Sequence, residues 1–323
     1  MHTEIGTDLQ KAIHYLRNGE LVAIPTETVY GLAGNALNEE SVLNIYDAKQ
    51  RPRFNPLILH LHSFEQFSAY ADELPDQCRK LAGRFSPGPL TFLLPKKDIV
   101  PDLVTAGSNR VALRIPSHAV TRQLLQALDF PLAAPSANPF GYVSPVTAQH
   151  VWDGLQGRIP YILDGGSCEV GLESSIVGFE AGRVVLYRHG AIALEDLEET
   201  IGEKIEVKTG ASLQVDTPGQ LKSHYAPRVP LWVGDVDSLL QVHHGKKIAV
   251  ITFHRKIVYP EPAYQFTLSP QADLHEAARN LFRVLRQIDA LDADIILAER
   301  FPEAGLGRAI NDRLQRAQAV FKV

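Results

Sequence analysis

The sequence is short of sulfur and has no excess of basic charge. Two cysteines, Cys78 and Cys168, and one methionine stand among 323 residues, too few for a disulfide framework, and no Cys/His grouping has zinc-finger spacing. A reducing compartment fits best. Lys and Arg total 32 against 37 Asp and Glu, a formal charge of −5, so nothing draws the whole chain to a polyanion and extensive non-specific nucleic-acid binding is a poor first reading. No run of about 20 apolar residues could cross a bilayer. The opening MHTEIGTDLQKAIHYLRNG carries early acids and lacks the basic start and continuous apolar segment of a signal peptide. A cytoplasmic protein with no membrane partner is expected.

What is present suffices for a sizeable core: 45% of residues are hydrophobic and 21% charged, which argues against disorder, and the length suggests two domains. Extended patterns fall at 21–25, 56–61, 90–95, 110–116, 159–164, 174–179 and 183–188. Helical patterns fall at 8–18, 39–49, 75–85, 118–128 and 194–201. The first helix has Thr7 as its expected N-cap, with Leu9, Ala12, Ile13 and Leu16 on one face. Strands with interspersed helices but no regular rhythm predict an α/β or α+β domain over 1–205 with a mixed, twisted sheet. Residues 206–228 are polar, rich in Gly and Pro and without periodicity, which reads as a linker or lid. From 229 to 323 the patterns LWVG, KIAVITF, a helix with Leu274, Ala277, Ala278, Leu281, Phe282, Leu285 and Ile288 at helical spacing, ADIILAE and GRAINDRLQRA predict a small Rossmann-like domain. It has neither a Gly-rich dinucleotide fingerprint nor a P-loop.

Cations recur at strand ends: Lys49 and Arg51, Arg110 and Arg114, then Arg188. Phosphate requires such donors, each charge-assisted hydrogen bond contributing about 1.5–3 kcal/mol. Arg110 and Arg114, four apart on an expected strand, share a face. Any one of these arginines alone would read as an ordinary surface residue; their recurrence favours an anion site. Hydroxyl-rich turns occur at PTETVYG (25–31), APSANPFGYVSP (134–145) and GLESSIVGF (171–179). They could hold a nucleotide or an amino-acid carboxylate, or be plain Ser turns. His60 could be a satisfied core histidine. No nucleophile elbow, supported Ser-His-Asp grouping or metal-ligand cluster is visible, so covalent catalysis is not indicated.

The ordered motifs PTETVYGLAGNA, KQRPRFNPLILHL, RVALRIPSH, APSANPFGYVSPV, ESSIVGF and LYRHG resemble those of the YrdC-like family. TPGQLKSHYAP and GLGRAINDRLQRA resemble the linker and extra domain of its long, two-domain members, the L-threonylcarbamoyladenylate synthases. The resemblance implies a YrdC-like catalytic domain joining L-threonine, bicarbonate or CO2, and ATP into an adenylate with release of pyrophosphate, the first step of a tRNA modification. By motif it implies threonine contacts from Thr28, His60, Arg114, Ala134 (main chain) and Ser174. It implies ATP contacts from Arg51, Asn55, Arg110, Ser136, Ser144, Arg188 and Tyr225, with Lys49 against the phosphates and Lys49 and Arg51 as the catalytic cations. Mg2+ carried by the ATP and transient contact with the tRNA threonylcarbamoyl-transfer machinery are further implied. The family often has Gly where Gln50 stands. An RNA-binding module and a carbamoyltransferase are the competing readings; the absence of a long basic face or RNP-like aromatics counts against the first, and the SHYAP segment against the second.

Overall fold

The computed structural model describes residues 1–209, 224–258 and 261–319. The first unit opens with β1 (Glu4–Gly6), α1 (Leu9–Arg17), β2 (Val22–Ile24), β3 (Gly31–Asn35), α2 (Glu39–Lys49) and β4 (Ile58–His60). It continues through α3 (Phe67–Tyr70), α4 (Asp76–Phe85), β5 (Leu90–Pro95), α5 (Asp102–Thr105), β6 (Arg110–Arg114), α6 (Ala119–Ala127) and β7 (Leu132–Ala133). It closes with α7 (Ala148–Leu155), β8 (Tyr161–Leu163), β9 (Ser175–Glu180), β10 (Arg183–Arg188), α8 (Leu194–Ile201) and β11 (Glu206–Val207). The second unit runs β12 (Leu231–Gly234), α9 (Val236–Val242), β13 (Ile248–Thr252), β14 (Tyr264–Thr267), α10 (Leu274–Ile288), β15 (Ile295–Glu299) and α11 (Gly307–Ala319).

The first unit is built on one mixed sheet of order β1-β8-β2-β3-β7-β4-β6-β5-β9-β10-β11. β2/β3, β5/β6 and β9/β10 pair antiparallel, whereas β4/β6 and β5/β9 pair parallel. The second unit has a parallel sheet of order β12-β15-β13-β14. The mixed and the parallel sheet match the expected fold class.

Two local expectations are corrected. Asp8, not Thr7, caps α1: its carboxylate accepts from the backbone N–H of Gln10 at 2.9 Å and Lys11 at 3.1 Å, and a negative charge there also offsets the helix dipole. The residues before the cap are drawn off into β1, which pairs with β8. Gly31–Asn35, of which the expected polar turn included Gly31 and the expected strands none, is strand β3. Its neighbours come so close that a Cβ on Gly34 would lie 2.6 Å from the Ser41 hydroxyl, so small residues replace the usual alternation.

Helices α1 and α6 cover one face of the sheet, burying Ala12, Ile13, Leu16, Leu124 and Leu125 against Val22, Ile24, Tyr161 and Leu163. A larger apolar cluster runs from Leu32, Leu59 and Phe92 through Val143 and Tyr225 to Leu281, Phe282 and Ile310, so the two units share a core. Arg286 of α10 reinforces that junction by donating to the carbonyls of Val143 at 2.6 Å, His150 at 3.1 Å and Ser144 at 3.4 Å. Cys78 and Cys168 are free and buried, and burial pushes both thiols up to about 12.

Candidate active site

Strand register sets the first wall of the site. His60 pairs with Arg114 across β4/β6 and Thr91 pairs with Arg114 across β5/β6, so the end of β6 presents a guanidinium between two neighbours. The turn after β2 supplies the rest. The Thr26 hydroxyl accepts the N–H groups of Thr28 and Val29, both at 3.2 Å, which folds the chain back and turns Glu27 and Thr28 towards Arg114. Arg114 Nη2 donates to Glu27 Oε1 at 2.7 Å and to the Thr28 hydroxyl at 2.9 Å, and Glu27 Oε2 accepts from the Ser117 N–H at 3.0 Å. Burial raises the Glu27 carboxyl, but the charge and hydrogen bonds of Arg114 outweigh it, and Glu27 stays ionised. Burial, helped by Arg114, pushes His60 down to about 3. Its Nδ1 lies 3.2 Å from the Ile58 carbonyl, an acceptor only, so Nδ1 carries the proton and Nε2 is left as an acceptor.

The facing wall carries two more guanidiniums. Arg51, just after the α2 C-cap, donates Nη2 to Asn55 Oδ1 at 2.7 Å and to the Pro56 carbonyl at 2.8 Å, and Nε to the Asn55 carbonyl at 3.1 Å. Arg188, at the end of β10, donates Nε to the Ser174 carbonyl and Nη2 to the Ser174 hydroxyl, both at 3.0 Å. Burial lowers both arginines to about 10, which leaves them charged at neutral pH. Thr28, Arg51, His60, Arg114, Ala134, Ser136, Arg188 and Tyr225 line one cavity together with Glu173 and His224. Its free volume is about 50 Å3, with the His224 and Tyr225 rings among its walls. Three cations converging on one carboxylate-poor cavity make a site for anions.

Comparison with known proteins decides the family. A model described as telomere recombination, the Sua5/YciO/YrdC domain, matches residues 14–190, and one described as threonylcarbamoyl-AMP synthase, C-terminal domain, matches residues 192–319. The chain belongs to the Sua5/YciO/YrdC family. It is 41% identical to the threonylcarbamoyl-AMP synthase of Pyrococcus abyssi, over 95% of this chain and 92% of that protein. It is 39% identical to the enzyme of that name from Bacillus subtilis, over 96% and 92%. The crystal structure of P. abyssi Sua5 complexed with L-threonine superposes with a TM-score of 0.90 at 38% identity, covering 98% of this chain and 97% of that one.

In this Sua5-family chain several expected residues stand behind the lining residues instead of on the cavity surface. Asn55 orients Arg51, Ser174 orients Arg188, and the Ser144 hydroxyl donates to Glu173 Oε1 at 2.6 Å. The Ala134 N–H is already given to the Ile58 carbonyl at 3.1 Å. Lys49 is buried beneath the 136–138 loop, donating Nζ to the carbonyls of Ser136 and Asn138 at 2.5 Å each; burial, with Arg51 nearby, drives its pKa well down. Arg110 shares the face of Arg114 but sits at the other end of β6, four residues or about 13 Å away. There it donates to the Tyr187 hydroxyl at 2.8 Å and lies 3.6 Å from Glu180. The sequence marks Glu27 as the one carboxylate of its turn but gives it no role, and marks neither Glu173 nor Arg313; each acts through a partner more than 80 residues away. Of the expected 206–228 linker, residues 210–223 lie outside the described residues.

Proposed function

We propose that this chain makes L-threonylcarbamoyladenylate from L-threonine, bicarbonate or CO2, and ATP, releasing pyrophosphate. The observation that supports it best is the pair of cationic walls around one cavity, Arg114 with Glu27, Thr28 and a neutral His60 on one side, Arg51 and Arg188 on the other. Arg114 is suited to the threonine carboxylate, and Thr28 and His60 Nε2 to its hydroxyl and amine hydrogens. Arg51 and Arg188, oriented by Asn55 and Ser174, are suited to the triphosphate, with Ser136, Ser144 and Tyr225 beside the nucleoside. Arg110, engaged with Tyr187 and Glu180, takes no part in this assignment.

In the reaction the threonine nitrogen bonds to the carbon of CO2 and loses a proton. A carbamate oxygen then bonds to the α-phosphorus while the α–β bridging P–O bond breaks and pyrophosphate leaves. His60, pushed down to about 3, is too weak a base to take the amine proton at neutral pH, so it orients and does not deprotonate. Aligning two anions and neutralising their charge is what the arginines supply, as in phosphoryl transfer generally. Among the described residues no three acidic, histidine or cysteine side chains converge on a metal position. A Mg2+ carried by the ATP would be held mainly by phosphate oxygens and water and would supply charge neutralisation at the leaving pyrophosphate. Lys49 acts on this reading by bracing the Ser136–Asn138 loop. His224 and Tyr225, at the described end of the linker, are the lid over the substrates, and transient delivery of the labile product to the tRNA-modifying proteins follows in the cytoplasm.

The test is pyrophosphate release with each substrate omitted in turn. Release should require both L-threonine and bicarbonate; release independent of threonine would sink the reading.

A further inference from the structure

Arg313, on α11 of the second unit, is completely buried, yet it lies at the first unit's cavity. Its Nε donates to Glu173 Oε2 at 3.2 Å and its Nη1 to the His189 carbonyl and to Asp312 at 3.1 Å. Its guanidinium lies 5.4 Å from the centre of the Tyr225 ring, which also stacks on Phe282 at 5.6 Å and meets the His224 ring edge-on at 4.2 Å. Glu173 and Tyr225 both line the cavity. One guanidinium from the second unit therefore touches two lining residues of the site.

The remaining donor, Nη2, is buried without a partner. Nε and Nη2 form the edge of a guanidinium that normally grips both oxygens of a carboxylate. Here only Oε2 is gripped, and Oε1 accepts the Ser144 hydroxyl at 2.6 Å. Glu173 is thus held from both units, by Ser144 of the first on Oε1 and by Arg313 of the second on Oε2.

We propose that Arg313 is the positioning residue by which the C-terminal unit completes the nucleotide end of the site, through exchange at Glu173 Oε1. This rests on the nucleotide assignment above. When the Ser144 hydroxyl turns to a bound nucleotide, Arg313 Nη2 takes Oε1 and the Glu173–Arg313 pair becomes bidentate. A buried donor that is unmet before binding is then met. Arg313 also keeps the Glu173 carboxylate neutralised, so that it neither repels the triphosphate nor draws Arg188 away from it. A buried carboxylate stripped of its partner is strongly unfavourable.

The test measures ATP and L-threonine binding separately, by calorimetry on the full chain, with thermal midpoints recorded. Arg313→Met should weaken ATP about 10-fold or more, the loss of one charged hydrogen-bond partner, while threonine binding moves little. Adding Glu173→Gln should restore most of the ATP affinity, which a merely structural arginine would not allow. Arg313→Lys, which keeps the charge and folds more safely, should fall between wild type and Met because it lacks the second donor. Wild-type ATP affinity in the Lys or Met variant, or no recovery in the double variant, would overturn the proposal. Failure of the unmodified chain to bind ATP would instead overturn the nucleotide assignment.

Discussion

The two walls of the cavity are built in different ways. The Arg114 wall is complete within the first unit: β4, β5, β6, the turn after β2 and the backbone at Gly88 and Ser117 supply its contacts, and Glu27 and Thr28 of one short turn fix the guanidinium. The Arg188 wall is assembled from distant pieces, Ser174 from just before β9, Tyr225 from the end of the linker and Arg313 from the last helix. A wall made of one sheet is preorganised before any ligand arrives. One that needs the second unit docked can be made conditional on it, which suits the wall facing the larger substrate.

The sharpest way to break this contrast is Arg114→Glu. It sets a carboxylate against Glu27 and removes the donor to Thr28, so threonine-dependent turnover should fall on the order of 1000-fold, about 4 kcal/mol. ATP binding to the other wall should survive, and titration of each substrate separates the two. Unchanged threonine affinity would remove Arg114 from its role. Lys49→Met addresses the loop between the walls. It leaves the carbonyls of Ser136 and Asn138 without their buried donor, at about 1–3 kcal/mol. The expected result is a lower melting temperature and a raised KM for ATP with kcat less affected. A collapse of kcat with unchanged melting would instead put Nζ on the phosphates.

Acid should destabilise the fold at the site and at the junction of the two units. His60 is held down at about 3 and His150 at about 4, and His224 is pushed well below its ordinary value, burial being the leading cause each time. The unfolded chain binds a proton at each near pH 6.5 while the folded chain does not, so their stabilisation is full above about pH 6.5 and is lost as pH falls towards 4. Each such histidine should contribute a loss of about 1–2 kcal/mol between pH 6.5 and 5. Urea titrations at the two pH values check this, and His60→Gln should flatten part of the difference. An equal slope in that variant would mean His60 is not the titrating group.

The strand ends bearing Arg114 and Arg188 were legible because hydrophobic runs ending in a cation keep their meaning without a partner in view; Lys49 and Arg51, expected at a strand end, instead end and follow helix α2. The YrdC-like motifs then tied those ends together. Arg110 shows the limit of face reasoning: period two correctly gave it the face of Arg114, but a face says nothing about distance along the strand. Strand β3 was hidden because Gly31 and Gly34 leave no alternation to read. Glu27 stood out as the one carboxylate of its turn but without a role, and Glu173 could not be chosen from among 37 acids, since what gives each its role is burial beside an arginine 87 and 140 residues away. Helix periodicity marked α11 but not that Arg313, on its buried side, carries a charge into a neighbouring unit.

The smallest expected effect lies between the walls, at the residue that ends α2 and starts the chain towards Arg51. Gln50 adopts φ 54° and ψ 40°, the left-handed conformation, where the helix C-cap favours glycine. A side chain there is strained, and glycine relieves the strain while adding freedom to the unfolded chain, so the two terms partly cancel. Gln50→Gly should therefore raise stability by no more than about 1 kcal/mol. Because Arg51 is anchored separately by Asn55 and Pro56, ATP binding should not change with it. A denaturation midpoint that rises while ATP affinity holds would show that the guanidinium is positioned by the turn after it. Should ATP affinity fall with Gln50→Gly, the strained C-cap itself would be aiming Arg51, and the second wall would depend on local backbone as much as on the docked unit.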